Sequence, residues 1–554
     1  MRKYSSLVGL LLLLLLSTTS CEDFLEEENL SNANSDEFFT TESGYVSLVQ
    51  ACYSSLRPIY RDPWVFSAGT DMYVEGRNTQ PVGISEYRDL ISTTEEVETF
   101  YRSVYKSIQT CNEALYFNDK TEATANLPVL RGEVKFIRAF DYFLLVQQFG
   151  GVSIVTDRII TPVKQFDRNS AEEVYEFIIT EMNEALELLP ENSSEFGRVD
   201  KRAVRHFLAK VYLTRGYESF GTAADFEKAA SLADEAIAGQ SLTTPFEAVF
   251  TPGNERNDEI LFSIQYDAVS MPNLSSSGST QNYYFGPYMG GQGAAEGYPY
   301  RSYNLVPTMY VFDLFSENDT RFEGTFMINY YQRYYDYYDK ADQRNNLNIK
   351  YYYAPKWALA DTAAWRAADP AHRAETTIIP YSSEWEASRS TVLDNATPAV
   401  KKFDDPTAVF SNSGSSTRDL FLARLAETYL IAAEAYFKMG DLATAAARIN
   451  EVRRRAAEPG AEGEMMIAAA DVTIDFILDE RARELVGEYH RWFDLKRTGT
   501  LMERTRMYNR DIKEWYNTGI DPFLGVDGNY KILRPIPQNA LDLNEAEVAQ
   551  NPGY

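Results

Sequence analysis

The chain has 554 residues, with 53 basic against 81 acidic side chains and a formal net charge of −28. So acidic a protein is repelled by phosphate backbones and by anionic membrane faces, which excludes nucleic acid as a partner. Hydrophobic residues at 44% and aromatics at 14%, among them 38 tyrosines, exclude a disordered acidic chain, and the length fits two to four domains or one large body of stacked repeats.

At the N-terminus, Arg2 and Lys3 precede an apolar run from Leu7 to Leu16. Ten helical residues rise about 15 Å, half a hydrocarbon core, so this run is a secretory leader rather than a membrane span. Thr18, Thr19 and Ser20 lead into Cys21 in the manner of a bacterial lipoprotein cleavage site, where the cysteine becomes the N-terminus and carries lipid. The competing reading is an ordinary signal cut with Cys21 left as a thiol. The cysteine count of three is odd, however, and Cys52 and Cys111 sit in helical patterns as small buried hydrophobes. We therefore expect a signal peptide over 1–20, lipid on Cys21 as the sole attachment to the membrane, and an acidic tether over 21–40.

Helical periodicity dominates from there. The stretch 42–60 places Val46, Val49, Tyr53 and Leu56 on one face, and 131–150 does the same with Val134, Ile137, Phe140 and Leu144. Gly150 and Gly151 stop the second helix, and VSIVTD (152–157) follows as a short extended piece. Two later stretches look like one unit used twice. KRAVRHFLAKVYLTRG (201–216) precedes DFEKAASLADEAIAG (225–239), and RLAETYLIAAEAYFKMG (424–440) precedes DLATAAARINEVRRRA (441–456). Alanines 209, 229, 432 and 446 permit close helix approach and Gly440 supplies a turn, the pattern of tetratricopeptide hairpins. Between the units, 241–417 is rich in Gly, Pro, Ser, Asn and Tyr with weak periodicity. Its segment 328–357 reads as a β-hairpin around DQRNN. Long irregular segments of this kind are more often functional than idle.

These pieces together resemble the SusD/RagB family. The leader with Cys21, SDEFFTTESGYVSLVQACYSSLR (35–57), RGEVKFIRAFDYFLLVQQFGGVSIVTD (131–157), the two repeat units, ERARELVGEYHRWFDLKRTG (480–499) and LRPIPQNALDLNEAEVAQNPGY (533–554) follow the family's order across the whole chain. The resemblance implies a mainly α fold, with tetratricopeptide-like hairpins packed against an irregular, loop-rich half that has a few short β-hairpins. Within one body it implies an N-terminal helical region over 41–240, a ligand-binding region over 241–417 and a C-terminal region over 418–554. It further implies a lipid-anchored protein on the outer face of the outer membrane of Bacteroidetes. Such proteins cap a SusC-like TonB-dependent β-barrel transporter and capture oligosaccharide or polysaccharide for import. The acids from Glu22 to Glu28 resemble the surface-export signal of these lipoproteins.

Sugar rings bind by stacking their apolar faces on Trp or Tyr while carboxylates, amides and arginines meet the hydroxyl rim. Candidates belong in loops. In related proteins the early loop and the glycine-rich stretch line the ligand surface, which here implicates Trp64, Asp71, Tyr73, Tyr283, Tyr284, Tyr288, Tyr298, Tyr300 and Arg301, with Trp357 and Trp385 in the later, more variable part. For any one ring the plainer role is packing. Glycines 286, 290, 291, 293 and 297 supply no core contacts and favour exposure of the loop rings around them. Trp492, inside the family-typical motif, reads as structural, with Glu484, Glu488 and Arg491 clamping a helix end.

Catalytic readings have little support. His206, His372 and His490 lack metal-site spacing, and neither a nucleophile elbow nor a phosphate loop is present. No catalytic residue, metal ligand or cofactor is expected; Asp521, Asp527 and Asn529 offer at most a structural calcium loop that misses the EF-hand spacing. The alternatives are a surface glycoside hydrolase, since so many acids leave a carboxylate pair open, a repeat scaffold that binds only protein, and a peptide in place of the glycan.

Overall fold

A computed structural model describes residues 35–77, 79–269, 277–386, 395–407 and 414–554. The leader, Cys21 and the acidic run that follows it lie outside the described residues.

The first long helix, α1 (Glu42–Ser54), starts where Thr41 accepts the amide of Gly44 from an extended backbone. Its buried face is Tyr45, Leu48, Val49 and Cys52, whereas Val46 and Tyr53 are half-buried. The apolar stripe is therefore rotated by about one residue from the expected one, because Tyr45 contributes a ring that the periodicity omitted. Next come α2 (Glu95–Asn118), α3 (Leu127–Phe149) and α4 (Ala171–Leu188), each packed on the one before it. Val134, Ile137, Phe140 and Leu144 of α3 are all buried, and so is the rest of its circumference. VSIVTD is extended but joins no sheet; the amide of Val155 donates instead to the Tyr142 hydroxyl at 2.7 Å.

The repeat units form as expected. Helix α5 (Lys201–Arg215) packs on α6 (Ala223–Ile237), α6 on α7 (Leu425–Met439), and α7 on α8 (Leu442–Ala456). Alanines 209, 229, 432 and 446 lie buried between them, where a larger side chain would hold the helices apart. Gly440 closes α7 at φ +83°, a left-handed cap that favours glycine.

The intervening segment leaves and returns through one strand pair, β2 (Ile260–Ile264) against β9 (Leu420–Arg424), antiparallel. Three further small sheets fasten the loop-rich half. Strand β1 (Tyr73–Glu75) pairs with β3 (Leu305–Pro307), and β4 (Phe326–Met327) with β8 (Ala399–Val400). Strands β5 (Asn329–Tyr331) and β6 (Ile349–Ala354) form the expected hairpin, extended by a parallel β7 (Thr377–Pro380). Its connection is longer than a tight turn and carries two short helical segments, Asp336–Asp339 and Ala341–Asn346.

Under this half lies a buried lattice of charge. Arg321 bonds Asp319 and Glu480 at 2.8 Å and Glu484 at 3.1 Å, Arg455 bonds Glu259 at 2.7 Å and Glu484 at 2.5 Å, and Arg424 bonds Glu484 and Glu488 at 3.1 and 2.6 Å. The local clamp expected among Glu484, Glu488 and Arg491 is thus replaced by long-range pairs, since each side chain points inward from the end of α9 (Ile474–Glu484), the turn after it and the start of the next helix. Trp492 is structural as expected: it is fully buried and its indole N–H donates to the Tyr87 hydroxyl at 3.1 Å. Two of the three histidines meet here, His206 and His490, both on Glu427 at 3.3 and 3.6 Å, beside Lys210 at 2.8 Å. Among the described residues no group of three or more His, Cys, Asp or Glu is arranged to hold a metal. Asp521 accepts the Phe523 amide at 3.0 Å, and Asp527 accepts the amides of Asn529 and Gly553 at 2.9 and 3.0 Å, so these acids order the C-terminal loop.

Candidate ligand-binding surface

The β1–β3 pair brings the early loop against the glycine-rich stretch. More backbone bonds tighten the junction. Arg77 donates to the carbonyl of Tyr303 and Gly76 to that of Asn304, both at 3.1 Å, and Ser302 donates to that of Tyr283 at 2.8 Å. The short helix Gln281–Phe285 is tied to the early loop twice: the Thr280 hydroxyl donates to the Arg61 carbonyl, and the Tyr284 hydroxyl donates to Asp62 at 2.6 Å.

On this frame, half-buried rings line up in an unbroken series. Trp64 meets Tyr284 edge-on with centroids 4.8 Å apart, and Tyr284 meets Tyr283 at 4.9 Å. Tyr283 then lies 6.0 Å from Tyr300, and Tyr300 lies 5.7 Å from Tyr288. The guanidinium of Arg77 covers the Tyr288 ring at 3.4 Å and closes that end with a cation. Edge-to-face neighbours fix each ring's tilt, so the arc keeps its shape before any ligand arrives. At the Trp64 end a cavity of about 220 Å³ opens, lined by Asp62, Trp64, Glu95, Glu96 and apolar neighbours. Glu96 is held above its ordinary pKa by burial, with Glu95 and Asp62 adding repulsion.

Five of the sequence candidates therefore share one surface: Trp64, Tyr283, Tyr284, Tyr288 and Tyr300. The others do not. Asp71 is fully buried between two arginines, with Nε and Nη2 of Arg491 at 2.7 and 2.6 Å and Nε of Arg504 at 2.9 Å. Burial pushes its pKa up, but the two guanidiniums win and hold the carboxyl below its usual range. Tyr73 is buried in β1, its hydroxyl accepting the Gly487 amide at 2.6 Å. Trp385 is fully buried beside Phe312, Tyr353 and Tyr381. Tyr298 stacks on Tyr335 at 3.8 Å and donates to Asp339 at 2.5 Å; burial and that carboxylate raise its pKa to about 12. Arg301 is buried, with its guanidinium 4.2 Å from the centroid of the Tyr334 ring. Trp357 is half-buried edge-on to Phe322 at 4.9 Å, among core rings rather than on the arc.

The glycines also act differently from the expectation. A Cβ on Gly286 would stand 2.6 Å from Cδ of Arg301, and one on Gly293 would stand 3.0 Å from its Nη2. Their bareness makes room for a buried arginine under the loop. Sequence reasoning passed over Arg77, Asp62, Glu95 and Glu96. Asp62 stands two residues before Trp64, and that proximity was the available signal; Arg77 joins only through the strand pair.

The helical repeat scaffold presents an ordered aromatic loop surface, and comparison with known proteins gives the family that carries it. A model of the SusD family matches residues 258–554, and a second, described as starch-binding associating with outer membrane, matches 23–213. The chain belongs to the SusD family, and neither model is that of a catalytic family. SusD-like protein P2 of Formosa agariphila is 25% identical over 98% of both chains. The starch-binding protein SusD of Bacteroides thetaiotaomicron is 26% identical over 79% of this chain and 76% of its own. Among solved structures, a laminarin-binding SusD-like protein superposes with a TM-score of 0.66 at 22% identity, over 93% of this chain and all of the other. Surface glycan-binding protein A of Bacteroides thetaiotaomicron, in complex with laminarihexaose, gives the same score at 20% identity, over 92% and 99%. The mainly α fold expected from the sequence is the fold of these proteins. No helix among the described residues is long and apolar enough to cross a membrane.

Proposed function

We propose that this protein is a non-enzymatic, lipid-anchored glycan-binding subunit at the outer face of the outer membrane. It captures oligosaccharide on the arc Trp64–Tyr284–Tyr283–Tyr300–Tyr288 and passes it to a SusC-like TonB-dependent transporter that it caps. The observation that carries this reading is the continuity of the arc, with five rings in successive contact and Arg77 at one end. Stacked rings accept the apolar faces of successive sugar units, and the acids at the Trp64 end accept hydroxyl donors. Relatives that bind starch, laminarin and laminarihexaose support a glycan as the ligand class. The apolar leader ending at Cys21 supports lipid attachment at the membrane, and the family description supports the outer membrane.

The test is calorimetric titration of the purified protein against a panel of neutral and acidic oligosaccharides, repeated with Tyr300→Ala. Binding that weakens with loss of the ring supports the reading; no affinity for any member of the panel counts against a glycan. A hydrolase would instead shorten the oligosaccharides during long incubation. A scaffold for protein alone would sustain nutrient uptake in cells carrying Trp64→Ala with Tyr300→Ala.

A further inference from the structure

A second cavity stands apart from the arc. Its volume is about 570 Å³, against about 220 Å³ for the one beside Trp64, and none of the arc rings lines it. Clefts of roughly 300–1,000 Å³ are the size that small ligands occupy. One wall is the short helix Met309–Asp313 with Glu386 beside it, and the other comes from the helices Leu501–Tyr508 and Arg510–Asn517. Two stacked tyrosines belong to it, buried Tyr310 and half-buried Tyr508, with centroids 4.3 Å apart and planes 25° from parallel. The Tyr310 hydroxyl donates to Asp479 at 2.6 Å and accepts from Nη2 of Arg491 and of Arg504 at 3.1 and 2.5 Å. Tyr508 enters none of these bonds, so it rests on an anchored ring and offers its own hydroxyl to the cleft.

Around these rings both signs of charge are mixed. Lys513, Glu514 and Asn517 are exposed on one face of their helix, and Glu386 lines the opposite wall with one carboxylate oxygen on the Met309 amide at 2.8 Å. Arg510 ties the walls together by donating to the Glu386 carbonyl at 3.2 Å. Ammonium, amide and carboxylate groups side by side can donate and accept in turn, which suits a ring of hydroxyls better than an ion of either sign. We propose that the cleft over Tyr508 is a second glycan-binding site, separate from the arc, for uncharged sugar units. The inference rests on the reading of the ligand as a glycan. Two sites on one rigid body hold a long polymer more tightly than either does alone, because binding at one concentrates the chain at the other.

The test is calorimetric titration with neutral hexasaccharides: laminarihexaose, maltohexaose, cellohexaose, xylohexaose and mannohexaose. It compares the unaltered protein, Tyr300→Ala, and Tyr300→Ala combined either with Tyr508→Ala or with Lys513→Ala and Asn517→Ala together. The unaltered protein should take two equivalents and Tyr300→Ala should keep about one. Adding Tyr508→Ala should weaken that remaining binding about tenfold. Lys513 and Asn517 are exposed, so their joint replacement leaves the fold intact and should weaken it as well. A stoichiometry of one that Tyr300→Ala abolishes overturns the inference and leaves the arc standing. So does residual binding indifferent to both changes in the cleft, or a cleft that takes acidic oligosaccharides alone. No affinity for these hexasaccharides or for the acidic members of the panel overturns the glycan reading and the inference together.

Discussion

The carboxylate of Asp71 lies 2.6 Å from Nη2 of Arg491, a residue 420 positions further along the chain. With Arg504 on its other side, Asp71 joins the early loop to the C-terminal helices in a place water does not reach. Asp71→Ala leaves the buried Arg491 without its carboxylate, while Arg504 keeps Asp475 and Asp479, and should lower stability by about 3–5 kcal/mol, read from urea unfolding. Glycan affinity of the protein that remains folded should be unchanged, because Asp71 has no access to the surface.

Within the arc the expectation reverses. Tyr300→Ala and Tyr288→Ala each remove a half-buried ring and should weaken oligosaccharide binding by about 2 kcal/mol, some 30-fold, with little effect on the unfolding midpoint. Trp385→Ala is the counterpart: a cavity under Phe312 and Tyr353 that costs about 3–5 kcal/mol of stability and leaves affinity intact. Calorimetry and urea titration on the three variants separate surface rings from core rings.

Acid should destabilise the protein through His490. Burial, opposed by Glu427 and reinforced by Lys210 and Arg481, takes its pKa down from 6.5 to about 3. The unfolded chain binds a proton that the folded chain refuses, so this contribution is whole above pH 6.5 and is lost as pH falls toward 3. Asp404 behaves oppositely: burial raises its carboxyl from 3.8 to about 6 despite Arg301, so its contribution is whole below 3.8 and is lost as pH rises through 6. In urea midpoints between pH 4 and 7.5, His490→Gln should flatten the loss on acidification. Asp404→Asn should raise stability at pH 7 relative to pH 4.

Gly487 carries a backbone argument. Its φ is +77°, its amide donates to the Tyr73 hydroxyl, and a Cβ there would stand 2.2 Å from the Phe403 ring. Gly487→Ala should cost on the order of 1–3 kcal/mol from backbone strain alone, with displacement of Phe403 adding to it. Near-ultraviolet dichroism alongside thermal melting would report both.

How far the fold could be read in advance follows from where its determinants sit. Ala209 and Ala229 reveal a hairpin because their partners lie within one repeat, and Gly440 reveals a cap because its φ is a local demand. The loop rings Tyr283, Tyr288 and Tyr300 were legible as a group, since no helical or strand period claimed them. Asp71, Trp385 and Arg301 were misread for the opposite reason. What buries them arrives from α10 (Arg491–Arg497), from the core ring Phe312, and from the connection carrying Tyr334. Only strand pairing and side-chain packing bring those partners close. The convergence of His206 and His490 on Glu427 escaped notice likewise, being separated by more than 200 residues.

The antiparallel pair β2–β9 also sets where change is tolerated. Because the polypeptide departs at Ile264 and comes back at Leu420 on hydrogen-bonded partners, the two ends of the intervening segment stay side by side whatever length lies between them. Its interior is pinned to the body elsewhere, by β1–β3 and by the pairs of Arg321 with Glu480 and Glu484. Loops between those pins can therefore lengthen or shorten without re-registering α6 against α7.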